Sequence, residues 1–146
     1  MTRSVEGLRV LIFGTEKPSV EWFKKSLIRC GALVSTIESP KKVFAFLKNS
    51  RMDLLIVDSH SHDVASLLIR AIRQDCTRSA HNIPAVVFTD DDSSEATASM
   101  LMAGFQALFP KPESLDQLVN IVEQFARNHG LHLSIPQGQI RSANDC

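Results

Sequence analysis

The chain has 146 residues but only three cysteines, one tryptophan and no tyrosine. Three widely spaced cysteines without a CxxC pair exclude a disulfide-stapled scaffold and a zinc knuckle, and they favour a reducing compartment. No apolar run approaches the roughly 18 residues of a membrane span, and an acidic residue precedes the first apolar run. We therefore expect no signal peptide, no membrane insertion and a cytoplasmic location.

An excess of charge of either sign is also lacking. Sixteen Lys and Arg balance sixteen Asp and Glu, so the formal net charge is zero. Because domains that bind nucleic acid usually carry a basic excess, nucleic acid is not an expected partner. The 44% of hydrophobic and 22% of charged residues are typical of a globular chain, and the length is typical of one domain.

Short apolar runs alternate along the chain with segments of helical periodicity. The expected strands are Leu8–Phe13, Leu33–Ile37, Leu54–Val57, Ile83–Phe88 and Phe105–Phe109. The expected helices begin at the start signals Pro18, Ser39, Asp63, Asp92 and Ser114. Because several strands are apolar throughout, the alternation predicts an α/β three-layer sandwich with a five-stranded, parallel, doubly wound sheet, (βα)5. Residues 1–7 are expected to lead into the domain, 8–127 to form it and 128–146 to be a mobile tail.

Polar residues follow four of the expected strands. They are Gly14-Thr15-Glu16, Asp58, Thr89-Asp90 and Pro110-Lys111-Pro112. Ligands of open parallel sheets bind at the carboxyl ends of the strands. The sequence therefore places the functional site at this edge.

LLIVD ending at Asp58, VVFT ending at Thr89 and FPKPESLDQL with Lys111-Pro112 together resemble the response-regulator receiver family of two-component signalling. The resemblance runs from about Leu8 to Arg127. It implies that Asp58 accepts a phosphoryl group from a histidine kinase or phosphotransfer protein, that Thr89 bonds a phosphoryl oxygen and that Lys111 pairs with its charge. It implies a signalling domain rather than an enzyme.

The first strand departs from that family at the metal site. Receivers usually hold Mg²⁺ with two acidic residues after this strand, and here Gly14 and Thr15 occupy those positions. Asp58 and Glu16, one residue late, remain as candidate metal ligands. Because Mg²⁺ is usually held by carboxylates, we expect weak Mg²⁺ binding and no other cofactor.

The predicted switch and interaction residues lie in the second half of the chain. Asp90 stands where the family favours a small residue, and it is expected to repel a phosphoryl group. Leu108 stands where receivers commonly carry an aromatic switch residue. The surface that receivers commonly use for partners would comprise Met100, Phe105 and Gln106 with the exposed side of the last helix. Another signalling protein is thus an expected partner beside a kinase.

Three functions remain open on the sequence. The favoured one is a degenerate receiver that acts through protein contacts, with Lys111 as a structural counter-charge to Asp58. The second is a fully phosphorylatable receiver, either a stand-alone adaptor or a module excised from a hybrid kinase. The third is a flavodoxin-like protein that binds a flavin phosphate at Gly14-Thr15-Glu16, although this loop has few glycines and hydroxyls to hold a phosphate.

The loop after Asp58 offers one further candidate site. His60 and His62 could bind a transition metal, although solvated polar loop residues are the ordinary explanation.

Overall fold

The computed structural model describes residues 5–74 and 82–131. The strands are β1 (Arg9–Gly14), β2 (Leu33–Ile37), β3 (Leu54–Asp58), β4 (Ala85–Thr89) and β5 (Ala107–Pro110). The helices are α1 (Lys17–Arg29), α2 (Pro40–Asn49), α3 (His62–Gln74), α4 (Ser94–Ala103) and α5 (Leu115–Asn128). Among the described residues, none of these helices has the length and apolar character needed to cross a membrane.

All five strands are parallel and lie in the order β2-β1-β3-β4-β5. The predicted doubly wound sheet is therefore confirmed. The interior strands β3 and β4 are buried along their whole length, which explains their unbroken apolar sequences.

The helices cover the two faces of the sheet in separate layers. Alternate strand residues such as Ile12, Ile56 and Phe88 pack with α1 and α5. Their neighbours, such as Leu11 and Val57, pack with α2, α3 and α4. The period of two along each strand thus divides the apolar residues between two cores, and the three-layer prediction is confirmed.

The starts of α3 and α4 differ from the sequence prediction, and at α4 a serine provides the N-cap that was expected from an aspartate. The Ser93 hydroxyl accepts a hydrogen bond from the Ala96 N–H and caps α4, so the predicted cap Asp92 lies outside the helix. Asp63 lies inside the first turn of α3. Ser114 caps α5 as predicted, accepting from the Gln117 N–H.

The ends of the domain extend slightly beyond the expected limits. Val5, placed in the leading segment, is fully buried in the core. Helix α5 continues to Asn128, and Leu131 still packs on the core beside it. The rest of the predicted tail lies outside the described residues.

Arg73 joins the end of α3 to the sheet. Its guanidinium donates to the carbonyl oxygens of Gly104 and Ile83 and to Oε1 of Gln106 at 2.6–3.1 Å. Burial lowers the pKa of Arg73 from its ordinary value. Several bonds from one charged donor to partly buried oxygens compensate that burial.

We expect Arg73→Met to lower the free energy of unfolding by about 2–3 kcal/mol, because it leaves the carbonyl and amide oxygens that Arg73 binds without a donor. Arg70→Met, on the exposed side of the same helix, is the matched control and should change it by less than about 0.5 kcal/mol. Urea denaturation measures both. An equal, small loss for the two variants would contradict a structural role for Arg73.

Candidate functional site

The strand register aligns the predicted site residues along one edge of the sheet. Gly14 is paired with Asp58 across β1 and β3, and Thr89 is paired with Pro110 across β4 and β5. Lys111 follows Pro110 directly. The sequence prediction that these strand ends meet is thus confirmed by the geometry.

Asp58 and Lys111 form an ion pair at this edge. Lys111 Nζ donates to Asp58 Oδ1. The Asp58 side chain is fully buried, whereas that of Lys111 is 21% exposed. In the described part of the chain Asp58 Oδ2 has no hydrogen-bond partner. A buried carboxylate with a single partner depends strongly on that partner's charge.

Thr89 is buried beside this pair and shapes the loop that follows β4. Its Oγ1 accepts a hydrogen bond from the Asp91 N–H at 3.1 Å. The hydroxyl proton remains available to another acceptor. Thr89 therefore fixes a turn as well as lying at the predicted site.

The end of β1 does not provide a magnesium site. A Cβ at Gly14 would lie 2.5 Å from Val20 Cγ2 and 3.4 Å from Asp58 Cβ. Val20, in the first turns of α1, thus packs where a side chain at position 14 would begin. Thr15 is exposed, and Glu16 contacts His60. Of the two candidate metal ligands, Asp58 is then the one carboxylate left for a metal. A single carboxylate does not fit Mg²⁺, which is usually held by more than one oxygen ligand of the protein or substrate.

His60, in the loop after β3, and His62, the first residue of α3, both contact carboxylates. His60 Nδ1 lies 3.0 Å from Asp90 Oδ2, and its Nε2 lies 3.6 Å from Glu16 Oε1. His62 lies 3.3 Å from both Asp63 and Asp91. Within residues 5–74 and 82–131, no three or more His, Cys, Asp or Glu side chains form a group that could hold a metal.

Asp90 has a partner that no local pattern marks. Its carboxylate lies 3.0 Å from Nδ1 of His60, 30 residues away in the sequence, in a largely exposed position. That Asp90 repels a phosphoryl group on Asp58 stays a prediction.

The pKa of the Asp91 carboxyl is lowered from its ordinary value. Hydrogen bonds from Ser93 are the main cause, and the contact with His62 contributes further. The Ser93 N–H donates to Asp91 Oδ1 at 3.2 Å. Negative charge is thus favoured just before α4, where the helix N-terminus also attracts it.

Of the predicted interaction residues, two are buried and Gln106 is exposed. Met100 and Phe105 are buried in the core, so they cannot line a docking surface. Oε1 of Gln106 accepts from Arg73 and from the Ala85 N–H at 2.8–2.9 Å. Leu108 packs against the core formed by α2, α3 and α4.

Leu101 and Met102 are the large exposed apolar residues of α4. Sequence reasoning missed Val20 and Arg73, whose importance depends on long-range contacts. A valine or arginine at these positions has no distinguishing local pattern.

Comparisons with known proteins give the fold its name. No family model matches this sequence, and no curated protein matches it. The chain is similar to a response regulator from Thermotoga maritima, with 22% identity and a TM-score of 0.70 over 81% of this chain and 96% of that chain. The chain is also similar to a two-component response regulator from Clostridium difficile, with 19% identity and a TM-score of 0.72 over 84% of this chain and 98% of that chain. For a chemotaxis response regulator of Vibrio cholerae the identity is 19% and the TM-score 0.70, over 81% of this chain and 98% of that chain.

The fold is that of a receiver domain. At these identities the likeness establishes the architecture, and it agrees with the strand order described above. Within the receiver fold, Asp58, Thr89 and Lys111 occupy the ends of β3, β4 and β5, as the resemblance implied.

We expect a double-mutant cycle to show that Asp58 and Lys111 stabilise one another. Lys111→Met should cost about 2–4 kcal/mol, because it leaves the buried Asp58 carboxyl without its ion-pair partner. Asp58→Asn should cost about 1 kcal/mol, since the released lysine can reach solvent. The double variant should recover part of the larger loss. Thermal and urea unfolding measure the cycle, and a rise in stability for Asp58→Asn would contradict it.

We expect Ser93→Ala to raise the pKa of Asp91 part of the way towards its ordinary value of 3.8, because the variant removes the side-chain hydrogen bond of Ser93 and keeps its backbone N–H bond. Because folding lowers this pKa, the associated stability is present above the unfolded value and is lost as the pH falls through the folded value. Carboxyl ¹³C NMR titration measures the shift. Ser94→Ala, one residue along, is the control and should leave the Asp91 pKa unchanged; equal effects of both variants would argue against the Ser93 bonds as the cause.

Proposed function

We propose that this chain is a receiver-like domain of two-component signalling that acts mainly through protein contacts, with Asp58 held as an ion-pair partner rather than as an efficient phosphoacceptor. The observation that supports this most is the buried pair of Asp58 with Lys111 beside a strand end that lacks acidic residues.

The burial of Asp58 opposes phosphoryl transfer. A carboxylate nucleophile must reach the phosphorus in line with the leaving oxygen. Here one carboxylate oxygen is bound by Lys111, and the other is buried. An incoming donor would have to displace Lys111 or open the edge of the sheet first.

The charges at the site also oppose phosphoryl transfer. Phosphoryl transfer is catalysed mainly by positioning and by neutralising charge on the phosphoryl oxygens. Lys111 supplies one positive charge, and Gly14 and Thr15 supply no carboxylates to bind a divalent cation. The phosphoryl group would therefore be only partly neutralised.

The proposed partner is a histidine kinase, a phosphotransfer protein or another signalling protein. Leu101 and Met102 on α4 are exposed and replace the buried Met100 and Phe105 as candidates for contact. Binding that does not need phosphorylation would follow from an unmodified Asp58.

The direct test uses a small acyl phosphate donor with and without Mg²⁺. We expect little incorporation, and no more than about a twofold effect of Mg²⁺, corresponding to about 0.4 kcal/mol. Phosphate-affinity gels and intact-mass measurement detect the product, with Asp58→Asn as the blank. Rapid, Mg²⁺-dependent labelling of Asp58 would show a working phosphoacceptor instead.

A gain-of-function variant tests whether the residues at the end of β1 cause the weak Mg²⁺ binding. Val20→Ala makes space for Gly14→Asp, and Thr15→Asp supplies the second carboxylate. We expect this triple variant to bind Mg²⁺ at least about tenfold more tightly than the wild type, a gain of about 1.4 kcal/mol. Quenching of the fluorescence of Trp22 in α1 reports binding. Val20→Ala alone is the matched control, and wild-type affinity in the triple variant would overturn this account of the site.

A further inference from the structure

Helix α3 exposes an apolar stripe that the site does not use. Val64, Leu67 and Ala71 follow one another at intervals of three and four residues, so they share one side of the helix. Leu67 is 68% exposed and Val64 is 45% exposed, and Ala71 is exposed as well. Contiguous exposed apolar side chains of this kind mark association surfaces in soluble proteins.

Helix α4 packs on another side of α3. The hydroxyls of Ser66 and Ser99 lie 3.3 Å apart, and Arg73 bonds to the carbonyl of Gly104. At 3.6 residues per turn, Ser66 and Arg73 lie on a different side of α3 from Val64, Leu67 and Ala71. Helix α4 therefore leaves the stripe uncovered.

The charges around the stripe are self-complementary. Asp63 lies four residues before Leu67, and Arg70 lies three residues after it; both are exposed. When two copies of α3 are placed antiparallel about a two-fold axis at Leu67, Asp63 of each copy lies opposite Arg70 of the other. The formal net charge of zero leaves no long-range repulsion to oppose this approach.

We propose that the outer side of α3 binds a second copy of this chain, with Leu67 at the centre of a symmetric, antiparallel contact. The stripe covers about two helical turns, so the interface is smaller than the roughly 1,200 Å² of stable complexes. The dimer is therefore weak and depends on concentration. It is independent of the state of Asp58, which lies at the edge of the sheet and not in this surface.

Sedimentation velocity on the full chain at sub-millimolar concentration and low salt is the primary test. We expect the wild type to dimerise and Leu67→Asp to be monomeric. Leu33→Asp is the matched control, because Leu33 is also well exposed, at 60%, but lies on the edge strand β2; it should dimerise like the wild type. Thermal melting shows whether each variant is folded. If Leu67→Asp is unstable, Leu67→Ala replaces it and should weaken association at least about tenfold.

The charge pattern gives a second test that needs no core change. Asp63→Arg and Arg70→Asp should each weaken self-association, because like charges then face each other. An equimolar mixture of the two variants should recover association, since every facing pair is again opposite in sign. A monomeric wild type, a dimer unaffected by the Leu67 variants, or a mixture that behaves like its components would each overturn the proposal.

Discussion

The carboxylate of Asp58 is buried at the end of β3, and the neighbouring strand ends must compensate its charge. Lys111 is partly solvated and belongs to the segment after β5, so its bond to Asp58 spans the end of β4. A buried charge without a partner is costly, whereas a lysine that loses its partner can turn to solvent. The pair therefore constrains Lys111 and the loop that carries it more than it constrains β3.

The packing at the end of β1 and the charge at the end of β3 are consistent with each other. A divalent cation at this edge would need several carboxylates to balance it, but Val20 occupies the space beside Gly14. The negative charge of the Asp58 carboxylate is already balanced by the positive charge of the Lys111 ammonium. A phosphoryl group on Asp58 would bring about two negative charges against the single charge of Lys111. The packing of Val20 from α1 at the end of β1 would thus account for the proposed loss of phosphoacceptor chemistry.

The parts that the sequence predicted are those governed by local patterns. Strands β3 and β4 were visible because both of their faces are buried, and Ser114 because its cap depends on residues three positions apart. The exposure of α4 could not be predicted, since Met100 and Leu101 are equally apolar and only the packing against β5 decides which one faces the core. The pairing of His60 with Asp90 and the bonds of Arg73 join segments about 30 residues apart, and no local signal marks them.

Helix α3 begins four residues after Asp58, so the site and the proposed α3 surface are directly connected through the chain. Connection alone does not couple them. A site controls a distant surface only when it has two states with different effects on that surface. Under the proposed function, the ion pair with Lys111 holds Asp58 in one state, and neither a metal nor a phosphoryl group creates a second one. Contacts made by α3 in this protein would therefore be set by concentration and ionic strength, not by modification of Asp58.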